Sequence, residues 1–147
     1  MSVQAPTSGK VLTIGDSEVT IKIGSHQTDG AYEVVLNQVP AGFGPPAHVH
    51  RSMLQAFYVL EGRISFQLGG EWVEADPGKV VIVRPGTAHT FANRTGESAY
   101  LLQIQSGGAL EPMFEDMARA FPAGSAADSE RIGKIMAAHD HLPPREK

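Results

Sequence analysis

The sequence predicts an all-β barrel or sandwich followed by two helices. Two observations carry this. From Val11 to Gln105 the chain is a succession of short runs rich in β-branched and aromatic residues, broken by Gly, Pro and Asp about every ten residues. After Ser106-Gly107-Gly108 the hydrophobic period changes to that of a helix.

The first strands, 11–14 and 18–23, meet at Gly15-Asp16, and HQTDG separates the second from 32–39, where Val34, Val35, Leu36 and Val39 dominate. Strands 56–61 and 63–68 join at Glu61-Gly62, and Gly69-Gly70 leads into 71–74. Asp76-Pro77-Gly78 opens 79–83, Pro85-Gly86 opens 89–93, and 99–105 closes the series. Phe57, Val59, Leu60 and the run Val80 to Val83 suit strands packed on both faces, whereas the imperfect alternation of EWVEA suits a hairpin strand near an edge.

In LEPMFEDMARAF, Leu110, Met113, Phe114, Met117 and Phe121 fall at helical spacing with acids near the start. In DSERIGKIMAAHD, Asp128 or Ser129 can cap, Ile132, Ile135 and Met136 form an apolar face, and Pro143-Pro144 end the helix. With no repeat and no long linker, one domain over 1–147 is expected, its barrel at about 11–105 and its helical extension at about 110–142.

Composition narrows the function. Hydrophobic residues make up 41% and charged residues 19%, the balance of a soluble globular protein. No run of about 18 apolar residues is present to span a membrane, and the opening MSVQAPTSGK has no apolar leader run, so a cytoplasmic protein is expected. Cysteine is absent, so disulfides and thiolate chemistry are out and any metal is held by nitrogen and oxygen. The net charge is −4 and the twelve basic residues are scattered, which argues against nucleic acid as a partner. No phosphate-binding loop, dinucleotide fingerprint or nucleophile elbow occurs.

Metal ligands must converge, and residues i and i+2 of a strand share a face, as His48 and His50 would. Imidazoles suit first-row transition ions rather than Mg or Ca. The pair by itself equally describes two surface histidines. His89, delivered by the Pro85-Gly86 turn to the start of a strand, is a third candidate or else a turn cap; Phe91 and Asn93 share its parity, as an aromatic wall and a polar group near the rim.

These stretches resemble the two motifs of the cupin family. Gly42, FGPPA, His48-Val-His50, RSML, Gln55, AFYVLE, Gly62 matches the first, with glutamine where the family has glutamate. Gly78, KVVIV, Arg84-Pro85-Gly86, TA, His89, TFA, Asn93 matches the second, with Arg84 in a proline position. The overall look is most similar to small single-domain cupins of the quercetin dioxygenase-like type. The resemblance implies a double-stranded β-helix barrel with the two helices packed outside. It also implies one divalent transition ion per chain (Fe, Mn, Ni, Co, Cu or Zn) held by His48, His50, Gln55 and His89.

Glutamine changes what that shell can do. Its carbonyl oxygen can ligate, but three imidazoles and an amide leave the ion's charge uncompensated, which favours an enolate or phenolate partner. In the flavonol-cleaving relatives the glutamate takes the substrate's proton; an amide cannot, so Gln55 is expected to ligate or orient. The expected substrate pocket comprises Phe43, Met53, Phe57 and Phe91, with strand 99–105 behind and Leu54 at the mouth. Val59 reads as barrel filling, Phe114 and Met117 as helix docking, Glu61 as a solvated turn residue and His26 as exposed. His139 and His141 read as a helix terminus outside the site. The expected function is a metal-dependent dioxygenase acting on a small enolic or phenolic compound. The alternatives are a non-redox lyase, cyclase or isomerase, or a non-catalytic binding module. A homodimer paired through its sheets is expected, the segment up to Gly30 lending an edge strand.

Overall fold

Each run read as a strand forms one in the computed structural model, which describes residues 8–146. The strands are β1 (Lys10–Ile14), β2 (Ser17–Ile23), β3 (Glu33–Val39), β4 (Leu54–Glu61), β5 (Ile64–Leu68), β6 (Glu71–Ala75), β7 (Val80–Val83), β8 (His89–Ala92) and β9 (Ala99–Ser106). One sheet runs β1-β2-β3-β9-β4-β7, the other β6-β5-β8, and the pairings are antiparallel. This is the jelly-roll arrangement of a cupin barrel.

Strand alternation sorts the inner surface into two ends. Along β9, Ala99, Leu101, Gln103 and Gln105 point inward and are buried. The Ala99–Leu101 end joins Val39, Phe57, Val59, Ile64, Phe66 and Phe91 in an apolar core. The other end is polar: Gln105 stands opposite Glu33 on β3 and opposite Gln55 on β4, so three buried polar side chains form one row across the sheet.

Two turns show why glycine is needed. At Gly62, φ is +77° and a Cβ would stand 2.8 Å from the Ala99 side chain, so both conformation and space exclude other residues. At Gly86, φ is +82°, and its N–H donates to the His50 carbonyl at 2.8 Å, fastening the turn before β8 to the histidine segment.

The edges differ from the sequence expectation in one respect. Val80 and Ile82 on β7 are 55% and 61% exposed, because among the described residues no element packs on the outward face that they share with Tyr58 and Ile104. β6 is an edge strand, as EWVEA suggested, with the Arg94 guanidinium 3.8 Å from the centroid of the Trp72 ring. β1 pairs with β2 and β2 with β3, and β1 forms the other edge of that sheet.

α1 (Glu111–Ala120) and α2 (Ser129–Ala138) set Met113, Phe114, Met117, Ile132 and Met136 against Val19, Ile21 and Val35. The buried Glu33 carboxylate accepts hydrogen bonds from the Leu110 N–H at 2.7 Å and from Gln105 Nε2 at 2.9 Å, tying the start of α1 to β3 and β9. Asp128 caps α2, its Oδ1 accepting the N–H groups of Glu130 and Arg131 at 3.1 and 3.2 Å. α2 stops at Ala138, before Pro143; the chain turns instead through Asp140, whose φ is +61°. Among the described residues no helix is long and apolar enough to cross a membrane.

Asn93 lies away from the rim that its strand parity suggested. It is fully buried, its Nδ2 donating to the carbonyls of Val39 (3.0 Å) and Glu97 (2.6 Å). Its Oδ1 accepts from the Thr95 N–H (3.0 Å) and hydroxyl (2.7 Å). Asn93→Ala strips these partners and strands a buried carbonyl, so urea unfolding should show a loss of about 2–4 kcal/mol. A loss below about 0.5 kcal/mol would show that the turn does not depend on this side chain.

Candidate metal centre

Backbone pairing brings the motif histidines together. His48 and His89 exchange both hydrogen bonds, each N–H 3.0 Å from the other's carbonyl, so their side chains stand side by side with ring centroids 4.3 Å apart. His50, two residues beyond His48, returns to the same face, its centroid 5.0 Å from each of the other two. One ring nitrogen from each of the three lies within 4.8 Å of the others, and all three residues are buried.

Hydrogen bonding sets their tautomers. Nδ1 lies 2.8 Å from the Pro46 carbonyl in His48, 2.8 Å from that of Thr87 in His89 and 3.2 Å from that of Asp140 in His50. A carbonyl only accepts, so each Nδ1 carries the proton and each Nε2 keeps a lone pair, as in metal-binding imidazoles. The His89 Nε2 is buried with no partner, a cost that a cation would relieve. Gln55 is buried with its Oε1 3.1 Å from His50 Nε2. Two acceptors at that distance suit a shared cation; without one, the amide must turn to present its NH2. The donors present therefore fit a divalent transition ion bound by His48, His50 and His89 with Gln55 beside them.

The electrostatics agree with a neutral, ligand-ready cluster. Burial, reinforced by His89, pushes the His48 imidazole down to about 2, and burial pushes His89 down to about 4. Burial also lowers His50, against the opposing effect of the Asp140 carbonyl and the Gln55 Oε1, which would accept from a protonated ring.

A cavity of about 80 Å³ opens from this cluster, with Phe43, His48, Gln55, Phe57, Phe91 and Gln103 among its lining. No Asp or Glu lines it. Phe114 and Met117, expected only to dock, also reach the cavity, so the helices cover its mouth. Met53 lies instead in the core with Val35, Leu110 and Met113, and Leu54 faces outward. Glu61 and His26 are exposed.

Two residues escaped the sequence reading. Gln103 reaches the cavity with its Oε1 buried and unpartnered; only the alternation of β9 hinted at it. His141 is not outside the site: it is 4% exposed, lines the cavity and stacks 5.1 Å from His48. Burial, then the nearby His50, pushes it down to about 4. The repeated two-histidine spacing of His139-Asp140-His141 was the available clue, but the chain's return to residue 49 could not be read from it. His139 does behave as a helix terminus, its Nε2 2.6 Å from the Asp116 carboxylate.

A family model described as "Cupin domain" matches residues 35–105. Quercetin 2,3-dioxygenase from Bacillus subtilis (strain 168) is 27% identical over 109 residues, 74% of this chain and 32% of that protein. The chain thus spans about a third of that relative. KdgF from Halomonas sp. superposes with a TM-score of 0.64 at 17% identity, over 73% of this chain and 94% of that one. The polyketide cyclase RemF from Streptomyces resistomycificus gives 0.62 at 20% identity, over 71% and 78%. These two structures share the fold.

The buried imidazoles should make the metal-free protein acid-sensitive. Their folded values lie below the unfolded value of about 6.5, so the unfolded chain binds more protons as pH falls. Their contribution is complete above about pH 6.5 and is lost as pH drops toward 4, where His89 and His141 protonate, and then toward 2 for His48. Urea midpoints with chelator present should be flat above pH 7 and decline steadily between about 6.5 and 4.5. An unchanged midpoint across that window would contradict a buried neutral cluster.

Proposed function

We propose that this chain, whose residues 35–105 match a cupin domain, is a metal-dependent enzyme cleaving a small enolic or phenolic compound with dioxygen. The observation that carries this is the set of three buried imidazoles, their Nε2 lone pairs free, beside an amide at the end of an apolar cavity. A bound divalent transition ion supplies Lewis acidity there and, if redox-active, the means of activating dioxygen.

The side chains define the rest. A shell without a carboxylate leaves positive charge at the cavity end and favours a substrate oxygen in its anionic form. Gln55 orients rather than takes a proton. Phe57 and Phe91, with centroids 5.9 Å apart, make a packed aromatic wall for a flat ring. The unpartnered Gln103 Oε1 can accept a substrate hydroxyl. Met113, Phe114 and Met117 exclude water from above. Enclosed room of about 80 Å³ is well below the 300 Å³ or more of drug-sized sites, so the substrate is small or the helical cover yields.

A second reading, a lyase, cyclase or isomerase without electron transfer, is favoured by the neutral Gln55 and the absence of acids from the cavity lining. Protein purified without chelator should carry about one transition ion per chain, and His48→Ala should lose it. Retention by that variant would defeat the metal reading. Product formed equally without oxygen, and with zinc, would replace the dioxygenase reading by the second one.

For assembly, we propose a homodimer through the outward face of β4, β7 and β9. Ile82, Ala56 and Ile104 form one row and Val80, Tyr58 and Leu102 the next, with Ile82, Val80, Tyr58 and Ile104 exposed. Light scattering should give twice the chain mass, falling to one chain for Val80→Lys/Ile82→Lys. A wild-type mass of one chain would defeat the proposal.

A further inference from the structure

We propose that His141 is a fourth imidazole ligand of the metal centre, supplied by the C-terminal tail from the side of the cluster opposite His89. This rests on the reading of His48, His50 and His89 as metal ligands.

Register places the residue. Beyond α2 the chain runs back against the first motif, and Val49 and Leu142 exchange both hydrogen bonds, at 2.8 and 3.0 Å. In an antiparallel bridge centred on that pair, His50 faces His141. Alternation then turns Val49 and Leu142 one way and His48, His50 and His141 the other. Residues 48–50 are the middle of three adjacent segments, bridged to His89 on one side and to the tail on the other. The His141 centroid lies 4.1 Å from that of His50 and 5.1 Å from that of His48, while the nitrogens that lie mutually within 4.8 Å are those of His48, His50 and His89, so His141 stands at the edge of that triad beside His50.

The tail is held for this purpose at several points. Asp140 adopts φ +61°, and its carboxylate accepts the Arg51 backbone N–H at 3.2 Å and Nε at 2.7 Å. The Asp140 carbonyl accepts the His50 Nδ1 proton, so the segment that brings in His141 also sets the tautomer of His50. The His141 N–H donates to the Met136 carbonyl at 2.9 Å. Its Nδ1 lies 2.9 Å from the His139 carbonyl, which leaves Nε2 with the lone pair. Four buried imidazoles thus share one device, Nδ1 on a main-chain carbonyl, which leaves Nε2 as the lone-pair nitrogen. A fourth imidazole would complete the shell with a neutral donor, where no carboxylate is at hand.

The test is cobalt(II) binding to the metal-free full-length chain, read by competition with a chromophoric chelator and by the visible d–d spectrum. Wild type and His139→Ala should bind about one ion with the same affinity and spectrum. His141→Ala should lose about tenfold or more in affinity and change the spectrum, and added imidazole should restore the wild-type spectrum to His141→Gly. His141→Gln, which keeps a polar side chain of similar reach, serves if circular dichroism shows the alanine variant misfolded. An unaltered spectrum with affinity within twofold, or imidazole without effect on an altered one, would overturn the fourth-ligand assignment while leaving the three-histidine site intact. Failure of wild type to bind cobalt would overturn the metal reading itself, and this with it.

Discussion

Burying several imidazoles in one volume without a counter-charge is the constraint around which this molecule is arranged. Each ring must be neutral, and each must lose one proton donor to a partner that cannot compete for the other nitrogen. Main-chain carbonyls of Pro46, Thr87, Asp140 and His139 fill that role for His48, His89, His50 and His141. The carbonyl acceptors are local for three of the four, two residues before their own histidine, which explains why irregular segments rather than strand interiors carry them. His50 alone borrows a carbonyl from 90 residues away.

The same polar end of the barrel is linked to the helices. Glu33, Gln105 and Gln55 stand in one cross-strand row on β3, β9 and β4. Glu33 receives the N–H of Leu110 and the amide of Gln105, so the start of α1 and the strand beside Gln55 share one buried carboxylate. Both donors meet Oε2, and the buried Oε1 has no hydrogen-bond partner among the described residues. The helices are therefore anchored to the row that ends at the histidine cluster, and their Met and Phe side chains line the cavity. Methionine suits such a lining because its flexible thioether adapts to what lies beside it.

Gln55 makes the centre electrically unusual. The shell formed by the histidines and the amide brings no negative charge, and the cavity lining adds none. Under the proposed function an anionic substrate oxygen would be the natural partner, and its proton would go to a group other than Gln55. Apolar walls of Phe57 and Phe91 strengthen that electrostatic preference by lowering the local dielectric.

Much of this was legible in the chain itself. Period-two runs of β-branched residues with Gly, Pro and Asp between them located every strand, because strand formation and turn chemistry are local. The spacing of His48 and His50 and the Pro-Gly turn before His89 made these histidines candidates, and the resemblance to the two cupin motifs joined them with Gln55 into one expected ligand set. What lay outside the sequence's reach depended on contacts between distant segments. Val80 and Ile82 look like buried strand residues until the fold leaves the outward face of β7, β4 and β9 without a covering layer among the described residues. Asn93 reads as a rim residue until the turn it ties is seen. His141 reads as a helix end until Leu142 pairs with Val49. Local propensity determined which elements exist and which residues could ligate; only tertiary pairing, whose closure spans the length of the chain, decided which of the histidines meet.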